Sequence, residues 1–200
     1  MTIQEQIERS RKISQYIMQT AVPMGLWFIV EYLLTALAMK NVALTFIRTP
    51  MMLLTPVLLF IALRRLRNIY FSDDEFGRFR CWYYGVQLMF FGGLIEAVGI
   101  AVFNQWIVPS NLAEMHSAML SQYQQVIEML QNSNSGAPLG SLTDTLTQMK
   151  TQIEDMPVET PVGAAVNMLS NDILYGILWA LPFSFLLHRK PSADKNEKNK

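Results

Sequence analysis

The sequence has few of the residues on which most enzyme and metal sites depend. Its 200 residues include one cysteine, Cys81, and two histidines, His116 and His188. A single cysteine excludes an internal disulfide and a metal site built from several thiolates. The histidines lie in different regions of the chain, and no Gly-rich phosphate loop or Ser nucleophile elbow occurs. We therefore expect no catalytic residue, no metal site and no cofactor, and a protein that is not an enzyme.

Charged residues are also scarce, at 16% of the chain against 51% hydrophobic residues. The apolar residues are gathered into four runs, which cover residues 17–38, 44–63, 81–107 and 164–187. A helix needs about 20 mostly apolar residues to cross a bilayer, and each run is at least about that long. The sequence therefore predicts an all-α fold, a bundle of four transmembrane helices.

The basic residues are distributed unevenly between the two sides of such a bundle. The side that holds both termini has thirteen of them: Arg9, Arg11, Lys12, Arg64, Arg65, Arg67, Arg78, Arg80, Arg189, Lys190, Lys195, Lys198 and Lys200. The other side has two, Lys40 and Lys150. Because Lys and Arg are enriched in cytoplasmic loops, this bias predicts that both termini are cytoplasmic.

These boundaries divide the chain into five parts. They are a cytoplasmic lead-in at residues 1–16, spans one to three at 17–107, an extracytoplasmic segment at 108–163, span four at 164–187 and a basic cytoplasmic tail at 188–200. The extracytoplasmic segment has two amphipathic stretches separated by a cluster of Gly, Pro, Asn and Ser, which predicts a helical hairpin between spans three and four. This segment is acidic, so nucleic acid is not an expected partner.

Each predicted span contains one charged residue. These residues are Glu31, Arg48, Glu96 and Asp172. A charge near the middle of a span costs about 2.5 to 3.5 kcal/mol on insertion scales, so the four side chains need partners or a function. A rise of about 1.5 Å per residue places all four in the extracytoplasmic half of the membrane. We expect Glu31 and Arg48 to pair across the hairpin of spans one and two.

Glu96 and Asp172 are left without a basic partner in the chain. Burial without a cation favours the neutral form of a carboxyl group, so we expect a proton on at least one of them. Asn167 and Asn171 lie one step around the fourth helix and complete the predicted polar cluster. The cluster is either a hydrogen-bonded core that fixes the order of the helices or a proton or cation site on a transport path. A solvated cavity that reaches the two acids would favour transport, and a dry packed core would favour the structural role.

Gly85, Gly92 and Gly99 recur every seven residues in the third span. At about 100° per residue this spacing keeps all three, and also Glu96, on one face of the helix. Small residues let neighbouring helices approach closely within a membrane. The sequence therefore predicts a helix-packing surface at these glycines.

The third span and its flanks also resemble a known family. A charged turn is followed by FGRFRCWYYGVQLMFFGGLIEAVG, then by an aromatic-rich exit that ends at Pro109 and by an amphipathic segment before the last span. This arrangement resembles the bacterial membrane-protein family called domain of unknown function 4199, over roughly residues 15–190. The resemblance implies a location in the bacterial inner membrane and transfers no catalytic or binding residue.

These features together predict an integral inner-membrane protein that acts through interaction or assembly rather than catalysis. Its expected partners are the lipid bilayer and either a second copy of the chain, as a homodimer, or another membrane protein. The alternative is a small proton- or cation-coupled transporter subunit that uses the intramembrane acidic cluster.

Overall fold

The computed structural model of the protein describes residues 3–71, 76–132 and 138–188. These residues form six α-helices: α1 Ile3–Lys40, α2 Thr45–Tyr70, α3 Arg78–Val102, α4 Asn111–Asn132, α5 Pro138–Asp155 and α6 Pro161–Leu187. A short 3-10 helix, Val42–Leu44, precedes α2, and a π-helical turn, Phe103–Ile107, continues α3. The all-α class predicted from the sequence is confirmed.

Four of these helices are long and apolar enough to cross a membrane. They are α1, α2, α3 with its π-helical turn, and α6, and they coincide with the four apolar runs of the sequence. The helices extend past the apolar runs, because polar and charged residues such as Gln, Glu, Arg and Lys also favour helix. α1 begins at Ile3, so the predicted lead-in and the first span are one continuous helix.

α3 is the central helix and packs mainly against α6 and α1. Its glycines make these contacts close. A Cβ added at Gly85 would lie 2.6 Å from the Cβ of Ala180 in α6. A Cβ added at Gly99 would lie 2.6 Å from Cδ1 of Ile29 in α1, and Gly92 also faces α1. The predicted glycine face therefore meets two different helices, α6 at one end and α1 at the other.

The bundle has two ends, which we name by the elements found there. The terminal end is where α1 begins and α6 ends, and the α4–α5 end is where α4 and α5 join the long helices. Near the terminal end the core is dense, with Leu59, Leu63 and Leu66 of α2 each at most 2% exposed. The residues of α2 from Thr45 to Leu58, which lie nearer the α4–α5 end, include no buried side chain.

α4 and α5 pack against each other, and α4 also packs against α1. Lys150 Nζ in α5 donates a hydrogen bond to Gln124 Oε1 in α4 at 2.8 Å. Leu112 and Met115 of α4 pack on a buried cluster that includes Tyr32 of α1. These contacts connect the amphipathic pair to the bundle through α4.

Candidate functional site

A cavity of about 570 Å³ lies between α1, α2, α3 and α6. Its lining includes the four charged residues predicted in the spans, Glu31, Arg48, Glu96 and Asp172, one from each helix. The remaining lining residues are aromatic, apolar or neutral polar: Phe28, Tyr32, Thr35, Met52, Leu53, Thr55, Pro56, Met89, Met168, Asn171, Tyr175 and Trp179. Small-molecule sites usually have volumes of about 300 to 1,000 Å³, so the cavity is large enough for an organic ligand.

The two asparagines predicted to join this cluster differ in position. Asn171 lines the cavity beside Asp172. Asn167 does not line it: its side chain is exposed, and Nδ2 donates a hydrogen bond to Glu159 Oε1. Asn167 lies about one turn closer to the start of α6, where it reaches the residues that precede the helix.

The carboxylate of Glu31 is bound by a neutral group rather than by Arg48. Thr55 Oγ1 donates to Glu31 Oε2 at 3.0 Å, and Trp27 Nε1 donates to Thr55 Oγ1 at 3.0 Å. Arg48 lies near enough for a Coulombic interaction with Glu31, but its Nε is buried and has no hydrogen-bond partner among the described residues.

The register of the first two helices explains this difference from the predicted ion pair. Glu31 lies nine residues before the end of α1 at Lys40, and Thr55 lies ten residues after the start of α2 at Thr45. Antiparallel helices therefore place Glu31 and Thr55 at the same level. Arg48 is seven residues from Thr55, or about 10 Å further along the axis toward the α4–α5 end.

The carboxyl groups of Glu96 and Asp172 line the same cavity and lie close enough to interact electrostatically. Glu96 is 5% exposed. Asp172 lies against the backbone of α3, since a Cβ added at Gly93 would be 2.6 Å from Asp172 Oδ2. This oxygen is buried, and no donor among the described residues reaches it. A proton on one of the two carboxyl groups supplies the donor that the other lacks and removes the repulsion between two carboxylates.

A second polar group, which sequence reasoning missed, lies between the cavity and α4. Asn104 Nδ2 donates to the Tyr32 hydroxyl at 2.9 Å, and Asn111 Nδ2 donates to Asn104 Oδ1 at 2.8 Å. Asn104 and Asn111 are 1% and 3% exposed. Their spacing of seven residues, at the apolar exit of the third span, was the available signal. Because Tyr32 also lines the cavity, this cluster connects the cavity wall to the first turn of α4.

Within the described ranges, no group of three or more His, Cys, Asp or Glu side chains is placed to hold a metal ion. The polar atoms of the cavity can instead bind protons, hydrogen-bonding groups or a charged organic group. Apolar side chains surround these atoms and would exclude most of the water from a bound ligand.

Comparison with known proteins identifies a family. The chain matches the family model described as "Protein of unknown function (DUF4199)" over residues 18–189. The chain belongs to this family. The match includes most of α1 and all of α2, α3 and α6, so every residue of the cavity lies within the DUF4199 region. No curated protein and no solved structure matches the chain. The resemblance seen in the sequence is confirmed.

Proposed function

We propose that this DUF4199 protein is a proton-coupled transporter, or a subunit of one, whose cavity holds the substrate. The observation that carries the proposal is the cavity itself, which is lined by one charged residue from each of the four long helices. A polar cluster that served only to fix helix order would be expected to fill its space and pair its charges. Arg48 Nε instead has no hydrogen-bond partner among the described residues.

The Glu96 and Asp172 carboxyl groups are the proposed site of the coupling proton. One proton between them forms a hydrogen bond that joins α3 to α6. Loss of that proton leaves two carboxylates in contact, which repel each other in a site of low dielectric constant. α3 and α6 can therefore approach each other more closely beside the cavity when the Glu96–Asp172 pair holds a proton than when it has lost it. Such a difference between two states is what couples a proton to another ligand.

Infrared difference spectroscopy on the full chain in lipid nanodiscs tests the proton site. The carbonyl band of a protonated carboxyl group is resolved from that of a carboxylate. Across a titration from acidic to strongly alkaline buffer we expect the wild type to lose such a band and Glu96→Gln to alter that change. Glu128→Gln, which changes an exposed glutamate of α4, is the matched control and should behave as the wild type. A wild type with no titrating carboxyl band, or with one that Glu96→Gln leaves intact, would overturn the proton site.

We also propose a location in the bacterial inner membrane with both termini cytoplasmic and α4 and α5 outside. The support is the bias of Lys and Arg toward the terminal end and the acidic character of residues 108–163. Ser117 of α4 and Ser10 of α1 are both exposed. In a Cys81→Ala background, a membrane-impermeant maleimide added to intact cells should label Ser117→Cys and not Ser10→Cys. The reverse pattern would contradict this topology.

The interaction or assembly role is the second candidate, and the apolar surface of the α4–α5 pair favours it. Val126 and Met129 of α4, Leu142 and Met149 of α5, and Met156, which directly follows α5, are exposed. If assembly is the main role, Met129→Glu and Met149→Glu should prevent complementation of a deletion strain and Glu96→Gln should not. The transport proposal predicts the reverse order. Neither proposal assigns a catalytic role to any residue.

A further inference from the structure

We propose that the cavity binds a hydrophobic organic cation, in which a positive centre is carried on an apolar body. The inference rests on the proposed function, since the cation and the coupling proton would use the same pair of carboxyl groups.

The charged groups that line the cavity are unequal in number. Three are carboxyl groups and one is a guanidinium group. One proton shared by Glu96 and Asp172 gives the four groups a net charge of −1, and its loss gives −2. A bound monocation would replace the positive charge that leaves with the proton. An organic anion would have Arg48 alone as its partner, about 10 Å along α2 from the level of Glu31.

The neutral part of the lining suits a large, weakly hydrated cation. Four aromatic residues and three methionines contribute to it: Phe28, Tyr32, Tyr175, Trp179, Met52, Met89 and Met168. Aromatic faces attract cations, and the attraction is strongest where water is excluded. The volume of about 570 Å³ is far greater than the roughly 30 Å³ that one water molecule occupies, so the space fits an organic body better than a bare ion.

One aromatic residue of the wall packs against further aromatic rings. The ring of Trp179 stacks on Phe183, with centroids 6.1 Å apart and planes at 23°. Phe183 in turn makes an edge contact with Phe60 of α2 at 5.3 Å. Since ordering an aromatic side chain on binding has a cost, a ring that already packs against others favours a cation–π contact.

The cavity also has a side from which such a ligand could enter. Met52 and Leu53 of α2 line the cavity, and both are exposed. Tyr175 and Trp179 of α6 are exposed as well. In a membrane these residues border the lipid, where an amphipathic cation is concentrated by its apolar body. Access from the bilayer between α2 and α6 follows from this arrangement.

Two probes of nearly the same shape and opposite charge test the inference. Tetraphenylphosphonium and tetraphenylborate are titrated into the full chain in nanodiscs, with empty nanodiscs as the blank, and heat and released protons are measured. We expect the wild type to bind the cation at least about tenfold more tightly than the anion. We also expect Glu96→Gln and Asp172→Asn to bind the cation at least about tenfold more weakly than the wild type does. Trp179→Ala should also weaken binding. Trp106→Ala and Glu128→Gln, which change exposed residues outside the cavity, should not.

The outcomes separate this inference from the proposed function. Equal binding of the two probes, or cation binding that neither acid variant nor Trp179→Ala weakens, would overturn the ligand class. If the cation does not bind but the carboxyl band still titrates, the proposed ligand class is wrong and the proposed proton site stands. Cation binding without proton release would retain the ligand class and contradict proton coupling.

Discussion

The two halves of the bundle are built from the same four helices and pack very differently. Toward the terminal end, Leu59, Leu63 and Leu66 of α2 meet Phe76 and Cys81 in a core where each side chain is at most 2% exposed. Toward the α4–α5 end, the same helices enclose a cavity of about 570 Å³ with charged groups on its wall. The half at the terminal end packs the helices tightly together, and the half at the α4–α5 end contains the cavity and its charged groups.

The difference originates largely in α2. Its half near the terminal end contributes apolar side chains to the core, whereas its other half contains Arg48, Pro50, Thr55 and Pro56. Each proline removes a backbone donor from the helix, which weakens the helix where it packs least. Binding sites are commonly drawn from the less stable part of a fold, because they need groups that are not already satisfied. The dense core and the candidate site are therefore separated along the length of the same helices.

The largest expected effect on stability comes from replacing a leucine of α2 by alanine, and the same replacement can be made in each half of the bundle. Leu63 and Leu53 lie on α2 and are 1% and 69% exposed. Leu63→Ala should destabilise the protein by about 2 to 5 kcal/mol, because it leaves a cavity in a dense core. Leu53→Ala should change stability by no more than about 0.5 kcal/mol. Thermal unfolding in detergent measures both, and similar losses would contradict the division into a dense half and an open half.

The sequence was sufficient to predict the four long helices and the charged residue that each brings to the interior. Periodicity and run length carry that information, because a span has to be apolar and a charge within it has to face protein. Glu31, Arg48, Glu96 and Asp172 indeed line one cavity.

The partners of those residues could not be predicted in the same way. The pairing of Glu31 with Thr55 depends on the register of α1 against α2, and a sequence does not specify register to within one turn. The place of Asp172 against Gly93 depends on how closely α3 and α6 approach. The cavity itself is a volume that side chains fail to fill, and it depends on the packing of all four helices.

The second effect tests whether Asp172 is positioned by the close approach of α3 and α6. A Cβ at Gly93 would be 2.6 Å from Asp172 Oδ2 and 2.9 Å from Asp172 Cβ, so the whole side chain would have to move. Gly93→Ala should cost about 1 to 3 kcal/mol and alter the titrating carboxyl band. Gly77→Ala is the control, since no atom of the described residues lies within 4 Å of a Cβ added there. An unchanged band in a stable Gly93→Ala protein would show that the carboxyl pair does not depend on this contact.

The third effect concerns the polar cluster that connects the cavity to α4. The Tyr32 hydroxyl accepts hydrogen bonds from Asn104 Nδ2 at 2.9 Å and from Asn111 Nδ2 at 3.4 Å. Tyr32→Phe removes this acceptor from buried amides and should cost about 1 to 2 kcal/mol. Tyr83→Phe removes an exposed hydroxyl that accepts from Gln87 and should cost less than about 0.5 kcal/mol. Equal costs, measured by thermal unfolding, would mean that the cluster is not part of what stabilises the α4–α5 end.

The smallest effect decides which group is the partner of Glu31. Double-mutant cycles in the same unfolding assay compare Glu31→Ala with Thr55→Ala and with Arg48→Met. The hydrogen bond of 3.0 Å from Thr55 predicts a coupling energy of about 0.5 to 1 kcal/mol, and the more distant Arg48 predicts less than about 0.5 kcal/mol. A larger coupling with Arg48 would restore the direct ion pair that the charge positions predict. It would also place a fixed salt bridge in the open half of the bundle and reduce the difference between the two halves.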